Sequence, residues 1–183
     1  PNFLHFEPAM AALDRGFDVV LDKPMTYSLD EAYRLREKIR ETGRTLALTH
    51  TYSGYPAVKE ARERVASGVF GKIRKIYVEY PQGWLSDRAE LQPGSNAGWR
   101  TDPARAGKAG CMGDIGTHAL DMTLWCMQNY KPKMVVGTKY RKLADQTETA
   151  NAWGDWDPKQ FTVEDSAFGF ITMEDGATII LES

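Results

Sequence analysis

The alternation of helical and apolar segments in the first fifty residues constrains the fold of this chain most strongly. The segment SLDEAYRLREKIRETG carries a capping box, Ser28 with Glu31 three residues later, and runs in helical period to a glycine. A nearly continuous apolar run at 45–50 follows this helix, while a short helical segment at 7–15 and an apolar run at 18–21 precede it. Helix, strand, helix and strand in this order predict an α/β unit with a parallel sheet.

The remainder of the chain follows a different pattern, in which helices accompany alternating strands. The predicted helices cover 56–67 and a segment from 113, an irregular stretch covers 82–112, and the predicted strands lie within 71–83, 133–143, 164–174 and 177–183. The dipeptide Asp175-Gly176 is typical of a turn between the last two strands. We therefore predict an α/β domain over 1–50 and an α+β domain with a mostly antiparallel sheet over 51–183.

The amino-acid composition argues against nucleic acid and membranes as binding partners. The chain has 23 basic and 25 acidic residues with no single-sign block, so we expect no nucleic-acid partner. No apolar run reaches the roughly 18 residues of a membrane span, which argues against a membrane partner. Cys111 and Cys126 are too few for a disulfide framework and lack the CxxC spacing, so we expect reduced thiols and a cytoplasmic location.

The segment GDIGTHALDM, residues 113–122, carries the first candidate for chemistry. Asp114, His118 and Asp121 are spaced four and three residues apart, which places all three on one face of a helix. Neighbouring apolar residues supply a separate core stripe, so the polar row faces either water or a site. Taken alone, the Asp-x-x-x-His pair is more often a packing or surface feature than a catalytic one.

Three motifs stand in order along the chain: PNFLH at 1–5, LDKP at 21–24 and GDIGTHALD at 113–121. Together they resemble the glucose-fructose oxidoreductase, inositol dehydrogenase and rhizopine-catabolism family, Gfo/Idh/MocA. Its members carry a TPN-x-x-H stretch, an E-K-P tripeptide and a D-x-G-x-H helix in that order. Each motif is weak alone, but the ordered set is specific, and the likeness spans nearly the whole chain.

The resemblance implies the C-terminal part of a Rossmann-type nucleotide-binding domain followed by the α+β domain. Family members transfer a hydride between NAD or NADP and a hydroxyl-bearing carbon of a sugar or cyclitol, so an NAD(P)-dependent dehydrogenase is expected. The chain contains no GxGxxG pattern, and its last strand runs to the final residue. We therefore expect a portion of a longer, homo-oligomeric protein, with the portion inactive by itself.

The resemblance also implies roles for individual residues. Lys23, Asp114 and His118 match the motif positions expected to be catalytic. Cofactor contacts are expected from Pro1, Asn2, His5, Asp22 and Lys23, and substrate contacts from Trp99, Arg100, Thr117 and His118.

Two positions depart from the family pattern. Asp22 stands where the usual tripeptide has Glu, which is a mild change. HTYSGYP at 50–56 aligns with an N-Y-R-F-x-P stretch but has Ser53 in place of Arg, which puts an anion or hydroxyl contact there in doubt. Pro24 follows the lysine directly, and a cis Lys23-Pro24 bond is expected from the resemblance.

The residue types suit the oxidation of an alcohol even when the family resemblance is set aside. Oxidation of a secondary alcohol needs a base that is neutral near pH 7 and a cation or donor for the developing alkoxide. His118 suits the first task and Lys23 the second, while Asp114 is expected to orient the imidazole. Asp121 stays open between support of the site and plain helix polarity, and a zinc site lacks enough His or Cys ligands, so no metal is expected.

The irregular stretch offers aromatic and charged groups for a sugar. Trp99-Arg100 is the preferred pair, with Trp84 nearby, although a tryptophan that anchors the loop is an equal alternative. Trp153 and Trp156 are assigned to an excursion or a subunit contact. Two other functions remain open: a sensor of the same fold that binds without turnover, which needs no base, and a metal-dependent lyase or hydrolase.

Overall fold

The computed structural model describes residues 1–83, 98–140 and 163–183 of the 183-residue chain. The helices are α1 Phe6–Asp14, α2 Leu29–Thr42, α3 Pro56–Ala66, α4 Pro103–Ala106 and α5 Thr117–Met127. The strands are β1 Val19–Leu21, β2 Leu46–Leu48, β3 Lys75–Glu79, β4 Pro132–Tyr140, β5 Ser166–Met173 and β6 Thr178–Glu182. Predictions for Trp84, Trp153 and Trp156 fall outside the described residues.

The first sheet is the predicted α/β unit. Strands β1 and β2 pair in parallel, and helices α1 and α2 bury Phe6, Leu13 and Leu35 against them. The capping box forms as expected at the start of α2, where the Ser28 hydroxyl accepts from the Glu31 N–H at 3.3 Å. The Glu31 carboxylate in turn accepts a hydrogen bond from the N–H of Tyr27 at 3.0 Å. In the usual capping box it would accept from the N-cap residue, which here is Ser28.

The second sheet has the order β3-β6-β5-β4, with β3 parallel to β6 and the other two pairs antiparallel. The prediction of a mostly antiparallel sheet is confirmed. Gly176 adopts φ 87° in the predicted turn between β5 and β6. One face of the sheet buries Met173 and Ile179 against Leu124 and Met127, so α5 covers that face.

The opposite face of the second sheet exposes apolar side chains. Phe170 pairs with Val136 and with Ile180, and Ile180 pairs with Tyr77, so these residues form one row across the four strands. Tyr77 is 67% exposed and Phe170 is 55% exposed. Among the described residues, nothing covers this row.

The helix that carries the Asp-x-x-x-His pair starts irregularly. Residues Met112–Gly116 form a π-helical turn, and the regular helix α5 begins only at Thr117. The sequence predicts an ordinary helix through this segment, so the π turn is a correction. Helix α3 packs beside α5, where Arg62 donates to the Trp125 carbonyl at 2.8 Å and lies over its ring.

Candidate active site

The carboxyl ends of the two parallel strands deliver the first polar groups. Because Leu21 and Leu48 are register partners, Asp22-Lys23 and Thr49-His50 leave the sheet at the same edge. The Asp22 carboxylate accepts from the Thr49 hydroxyl at 3.1 Å and ties the two exits together. This edge is the usual ligand position of a parallel α/β sheet.

Lys23 reaches from this edge to the π-helical turn. The Lys23-Pro24 bond is cis, as predicted. The amine donates to Asp114 Oδ1 at 3.0 Å and also to the backbone carbonyl of Asp114. Both side chains are about four-fifths buried, with 17% and 20% of their surface exposed. The Lys23–Asp114 ion pair therefore joins the first sheet to the start of the helical segment 112–127, the site helix, which consists of the π-helical turn and α5.

The second carboxylate oxygen of Asp114, Oδ2, is paired with a second cation. Arg100 Nε lies 3.2 Å from Asp114 Oδ2, and the guanidinium lies over the Trp99 ring at 4.6 Å from its centroid. The preferred pair from the irregular stretch is thus brought to the site, with Trp99 contacting Arg100. The expected contact of Asp114 with the imidazole is not formed, because the carboxylate is engaged by Lys23 and Arg100.

His118 lies in the first turn of α5 and is 8% exposed. Burial lowers the pKa of His118, and the neighbouring Lys23 and His50 side chains lower it further, against the opposing effect of Asp114 and Asp121. Its Nδ1 is buried and has no hydrogen-bond partner among the described residues. The imidazole is therefore held neutral, which is the form that a proton acceptor needs.

The rings around His118 come from the segment HTYSGYP. The Tyr52 ring centroid lies 4.4 Å from that of His118, and the His50 ring meets it edge-on at 5.7 Å. The Tyr52 hydroxyl is 2.9 Å from the Tyr80 hydroxyl, and this hydrogen bond, with burial, raises the pKa of Tyr52. Sequence reasoning missed these aromatic partners, although the aligned N-Y-R-F-x-P stretch marked their position.

The same segment binds Asp121, whose role the sequence leaves open. His50 Nδ1 lies 3.4 Å from Asp121 Oδ1, and the Ser53 hydroxyl donates to Asp121 Oδ2. Ser53, the departure from the family pattern, thus holds the third polar residue of the helix. The structure favours support of the site over plain helix polarity for Asp121.

A buried glutamate fixes the start of the site helix. Glu164 is 3% exposed, and its Oε1 accepts from the N–H groups of Gly110 and Met112 at 3.0 and 3.1 Å. The Glu164 carbonyl accepts from the Cys111 N–H at 3.0 Å, so three successive N–H groups bind this residue. A side chain at position 110 would meet the Glu164 carbonyl, which explains the glycine there. A cavity of about 130 Å³ adjoins Glu164 and Asp114 without reaching Lys23 or His118.

The residues matched to PNFLH contact the ends of two other segments, Ala106 and Pro24. Asn2 is buried, donates to the Ala106 carbonyl at 2.7 Å, and leaves its Oδ1 without a partner among the described residues. His5 Nδ1 lies 2.8 Å from the Pro24 carbonyl. A small cavity is lined by both Asn2 and Asp114. The unpartnered Asn2 Oδ1 is therefore a hydrogen-bond acceptor that remains available to a donor in this region.

Across 1–83, 98–140 and 163–183, no three His, Cys, Asp or Glu side chains converge as metal ligands would. No described helix has both the length and the apolar character to cross a bilayer.

Fold and site together define a class: a Rossmann-type α/β unit whose strand end carries Lys23 toward Asp114 and the helix of His118 on an α+β domain. Residues 58–183 match the GFO/IDH/MocA C-terminal domain, and residues 1–50 match the oxidoreductase family with an NAD-binding Rossmann fold. The chain belongs to the GFO/IDH/MocA family. The resemblance expected from the three motifs is confirmed.

Named relatives act on sugars and related compounds. D-glucoside 3-dehydrogenase of Escherichia coli strain K12 is 29% identical over 100% of this chain and 49% of its own length. Levoglucosan dehydrogenase of Pseudarthrobacter phenanthrenivorans is 29% identical over 71% of this chain and 32% of its own. The crystal structure of an inositol dehydrogenase homolog complexed with NAD+ from Azotobacter vinelandii has a TM-score of 0.86 and 29% identity, and the match covers 100% of this chain and 43% of that one. The chain spans at most about half the length of these relatives.

Proposed function

We propose that the protein containing this chain is an NAD(P)-dependent dehydrogenase that acts on a hydroxyl-bearing carbon of a sugar, sugar derivative or cyclitol. The observation that carries the proposal is a buried His118, one helical turn after an Asp114 that binds the amine of Lys23 from the carboxyl edge of a parallel sheet. Two of the relatives, which match 100% and 71% of this chain, are named D-glucoside 3-dehydrogenase and levoglucosan dehydrogenase, and both names support the proposal.

In this proposal, His118 accepts the proton of the substrate hydroxyl. A neutral imidazole can take that proton without first losing one, because burial and the nearby cations disfavour its charged form. The Lys23 amine donates to the oxygen of the same hydroxyl and stabilises the negative charge that develops there. Asp114 holds the amine in place from one side while Arg100 balances the carboxylate from the other.

A bound nicotinamide ring supplies the hydride acceptor for this reaction. The residues that would hold this end of NAD or NADP are Pro1, Asn2, His5, Asp22 and Lys23. The unpartnered Asn2 Oδ1 can accept from a carboxamide, and Asp22 fixes the loop that carries Lys23. Substrate hydroxyls would contact Trp99, Arg100, Thr117 and His118, of which Arg100 already binds Asp114.

Domain organisation, assembly and location form part of the same proposal. A nucleotide-binding portion over 1–50 and a substrate-binding portion over 51–183 are supported by the separate sheets, β1-β2 and β3-β6-β5-β4. A homo-oligomer is supported by the exposed apolar row across the second sheet. A cytoplasmic location is supported by the free thiols of Cys111 and Cys126.

The proposal is tested with His118→Ala in the full-length protein. Turnover of the best sugar or cyclitol substrate should fall by about 10² to 10⁴-fold, the usual worth of a positioned base, with the Kd of the cofactor nearly unchanged. The matched control is Thr123→Ala, which truncates another buried residue of α5 outside the site and should lower the melting temperature without lowering kcat. A destabilised but fully active His118→Ala would contradict the proposal, and a wild type that binds sugar and cofactor without turnover would favour a sensor.

A further inference from the structure

The imidazole of His118 is not oriented by a hydrogen bond at Nδ1. This nitrogen is buried and has no partner among the described residues. The Asp114 carboxylate, one turn earlier, is engaged by Lys23 and Arg100 instead. A histidine that handles protons usually takes its ring orientation from such a bond. In this protein, the packing of neighbouring side chains has to supply that orientation.

Tyr52 supplies the shorter of the two ring contacts of His118. The centroids of these two rings lie 4.4 Å apart with the planes tilted by 39°, whereas the His50 ring meets His118 edge-on at 5.7 Å. At 4.4 Å between centroids, the two flat rings are in van der Waals contact. Because the tyrosine ring occupies that side of the imidazole, it restricts rotation of the imidazole.

Tyr52 is itself held from the second sheet. Its hydroxyl lies 2.9 Å from the Tyr80 hydroxyl. Tyr80 directly follows β3, and its N–H donates to the Glu182 carbonyl at 3.0 Å, which continues the pairing of β3 with β6. The hydrogen bond with Tyr80 is the main cause that raises the pKa of Tyr52, so this hydroxyl stays protonated. The hydroxyl end of the Tyr52 ring is thus tied to a paired strand.

The turn that carries Tyr52 is fixed at the next residue as well. Tyr52 and Ser53 lie in the turn Thr51–Gly54, between β2 and α3. The Ser53 hydroxyl donates to the Asp121 carboxylate, one turn after His118 on α5. Two successive residues of one turn therefore bind the second sheet and the helix of His118, which limits how far the tyrosine ring can move away from the imidazole.

The tyrosine ring also contributes to the burial of His118, which is 8% exposed. Burial is the largest cause of the lowered pKa of His118. Besides Tyr52, the titratable groups that act on this imidazole come from four segments: Lys23 after β1, His50 after β2, Asp114 in the π-helical turn and Asp121 on α5. Substitution of Tyr52 leaves all four groups in the protein, so a change in the titration of His118 would report the loss of its cover.

We propose that Tyr52, anchored by Tyr80, is a positioning residue that holds the imidazole of His118 in the orientation needed to meet the substrate hydroxyl. This inference rests on the proposed function, in which His118 accepts the proton of that hydroxyl. Tyr52 takes no part in the proton transfer, because its hydroxyl is paired with Tyr80 and its ring packs against His118.

The test removes the tyrosine ring in the full-length protein. Tyr52→Ala should lower kcat by about 10 to 100-fold, because a misplaced base loses much of its effect, while the Kd of the cofactor changes little. The acidic limb of the pH profile of kcat/KM should move to higher pH, because a less buried His118 is protonated at a higher pH. Tyr52→Phe keeps the ring and should retain the wild-type limb and most of kcat.

The anchor is tested by combining two conservative variants. Tyr52→Phe and Tyr80→Phe each leave one partly buried hydroxyl without its partner and should each lower the free energy of unfolding. The double variant lacks both hydroxyls and should be no less stable than either single variant. Additive losses, or no loss in either single variant, would overturn the anchoring by Tyr80.

A second measurement does not depend on turnover. Diethyl pyrocarbonate acylates neutral imidazoles that it can reach, and peptide mass spectrometry reports the rate at His118. Tyr52→Ala should be labelled there several-fold faster than the wild type, and Tyr52→Phe should not. The matched control is Tyr55→Ala, which removes a 55% exposed ring that packs on Tyr52 and should leave the labelling rate and the pH limb unchanged.

The outcomes separate this inference from the proposed function. If His118→Ala loses turnover while Tyr52→Ala keeps the wild-type kcat, pH limb and labelling rate, only the role of Tyr52 is overturned. If Tyr52→Ala only melts at a lower temperature, or if Tyr55→Ala changes kcat and the pH limb equally, Tyr52 is a packing residue and the inference is wrong. If His118→Ala keeps its turnover, the proposed function fails at the base itself and the positioning role falls with it, whatever the labelling rate.

Discussion

At the scale of the residue, His118 shows how position sets chemical form. Its ordinary pKa lies near 6.5 in an unfolded chain, and burial together with Lys23 and His50 lowers it in the fold. The unfolded chain therefore binds a proton at a higher pH than the folded protein does. His118 contributes stability that is present above about pH 6.5 and is lost as pH falls toward its folded pKa.

This linkage predicts a pH-dependent difference between the wild type and His118→Gln. Near pH 7.5 the wild type gains from the neutral imidazole, and that gain should shrink as pH falls from about 6.5 to 5. Urea unfolding of both proteins across this range isolates the contribution, because the other titrating groups are shared. A difference in free energy of unfolding that stays constant from pH 7.5 to 5 would contradict the lowered pKa.

The sequence predicts some of these residues and misses others for a physical reason. Lys23, Asp114 and His118 stand in short motifs whose order is visible along the chain. Ser53 and Asp121 lie 68 residues apart, and their bond exists only because the turn Thr51–Gly54 packs against α5. No local pattern reports such a contact, so the tyrosines and His50 around His118 were missed as well.

At the scale of the element, the start of the site helix depends on a residue outside it. The Glu164 carboxylate and carbonyl satisfy three successive N–H groups at 110–112 that would otherwise be buried without partners. This negative group also suits the positive end of the helix dipole. The π-helical turn and Asp114 follow directly, so Glu164 determines where the Lys23 partner lies.

Glu164 yields the prediction at this scale. Glu164→Ala leaves the Gly110 and Met112 N–H groups unsatisfied, which should lower the free energy of unfolding by about 1–3 kcal/mol. Glu164→Gln keeps a carbonyl oxygen as acceptor and should lose clearly less, with kcat closer to the wild type. Urea unfolding and kcat measured on the same preparations test this. Equal stability of Glu164→Ala and the wild type would show that the carboxylate does not hold the helix.

Elements with local signals were predicted well, and elements set by distant contacts were not. Helix α2 is defined by its own capping box and by Gly43, which takes φ 64° at the end. The π turn has no such signal, because it depends on Lys23 and Glu164 from remote parts of the chain. The sequence around Glu164 predicts only the start of a strand.

At the scale of the whole molecule, two sheets contribute opposite sides of one site. The parallel pair β1-β2 provides Lys23 and His50, while the helix packed on the second sheet provides Asp114 and His118. Neither portion holds both Lys23 and His118, to which the proposed function gives the roles of cation and proton acceptor. Joining them explains why the motifs lie about ninety residues apart in the sequence yet form one set in space.

The last prediction concerns cofactor affinity of the chain as given. Its 183 residues contain no GxGxxG turn, and the backbone N–H groups of that turn and of the helix behind it bind the pyrophosphate. In the proposed function, Asn2 and Lys23 serve only the nicotinamide end, so the chain alone should bind NADH at least about 100-fold more weakly than the full-length protein. Calorimetric titration of both proteins measures this, after circular dichroism has shown that the shorter chain is folded. Micromolar binding by the folded 183-residue chain would mean that its own residues form the pyrophosphate site, and the assignment of 1–50 to the nicotinamide side would have to be abandoned.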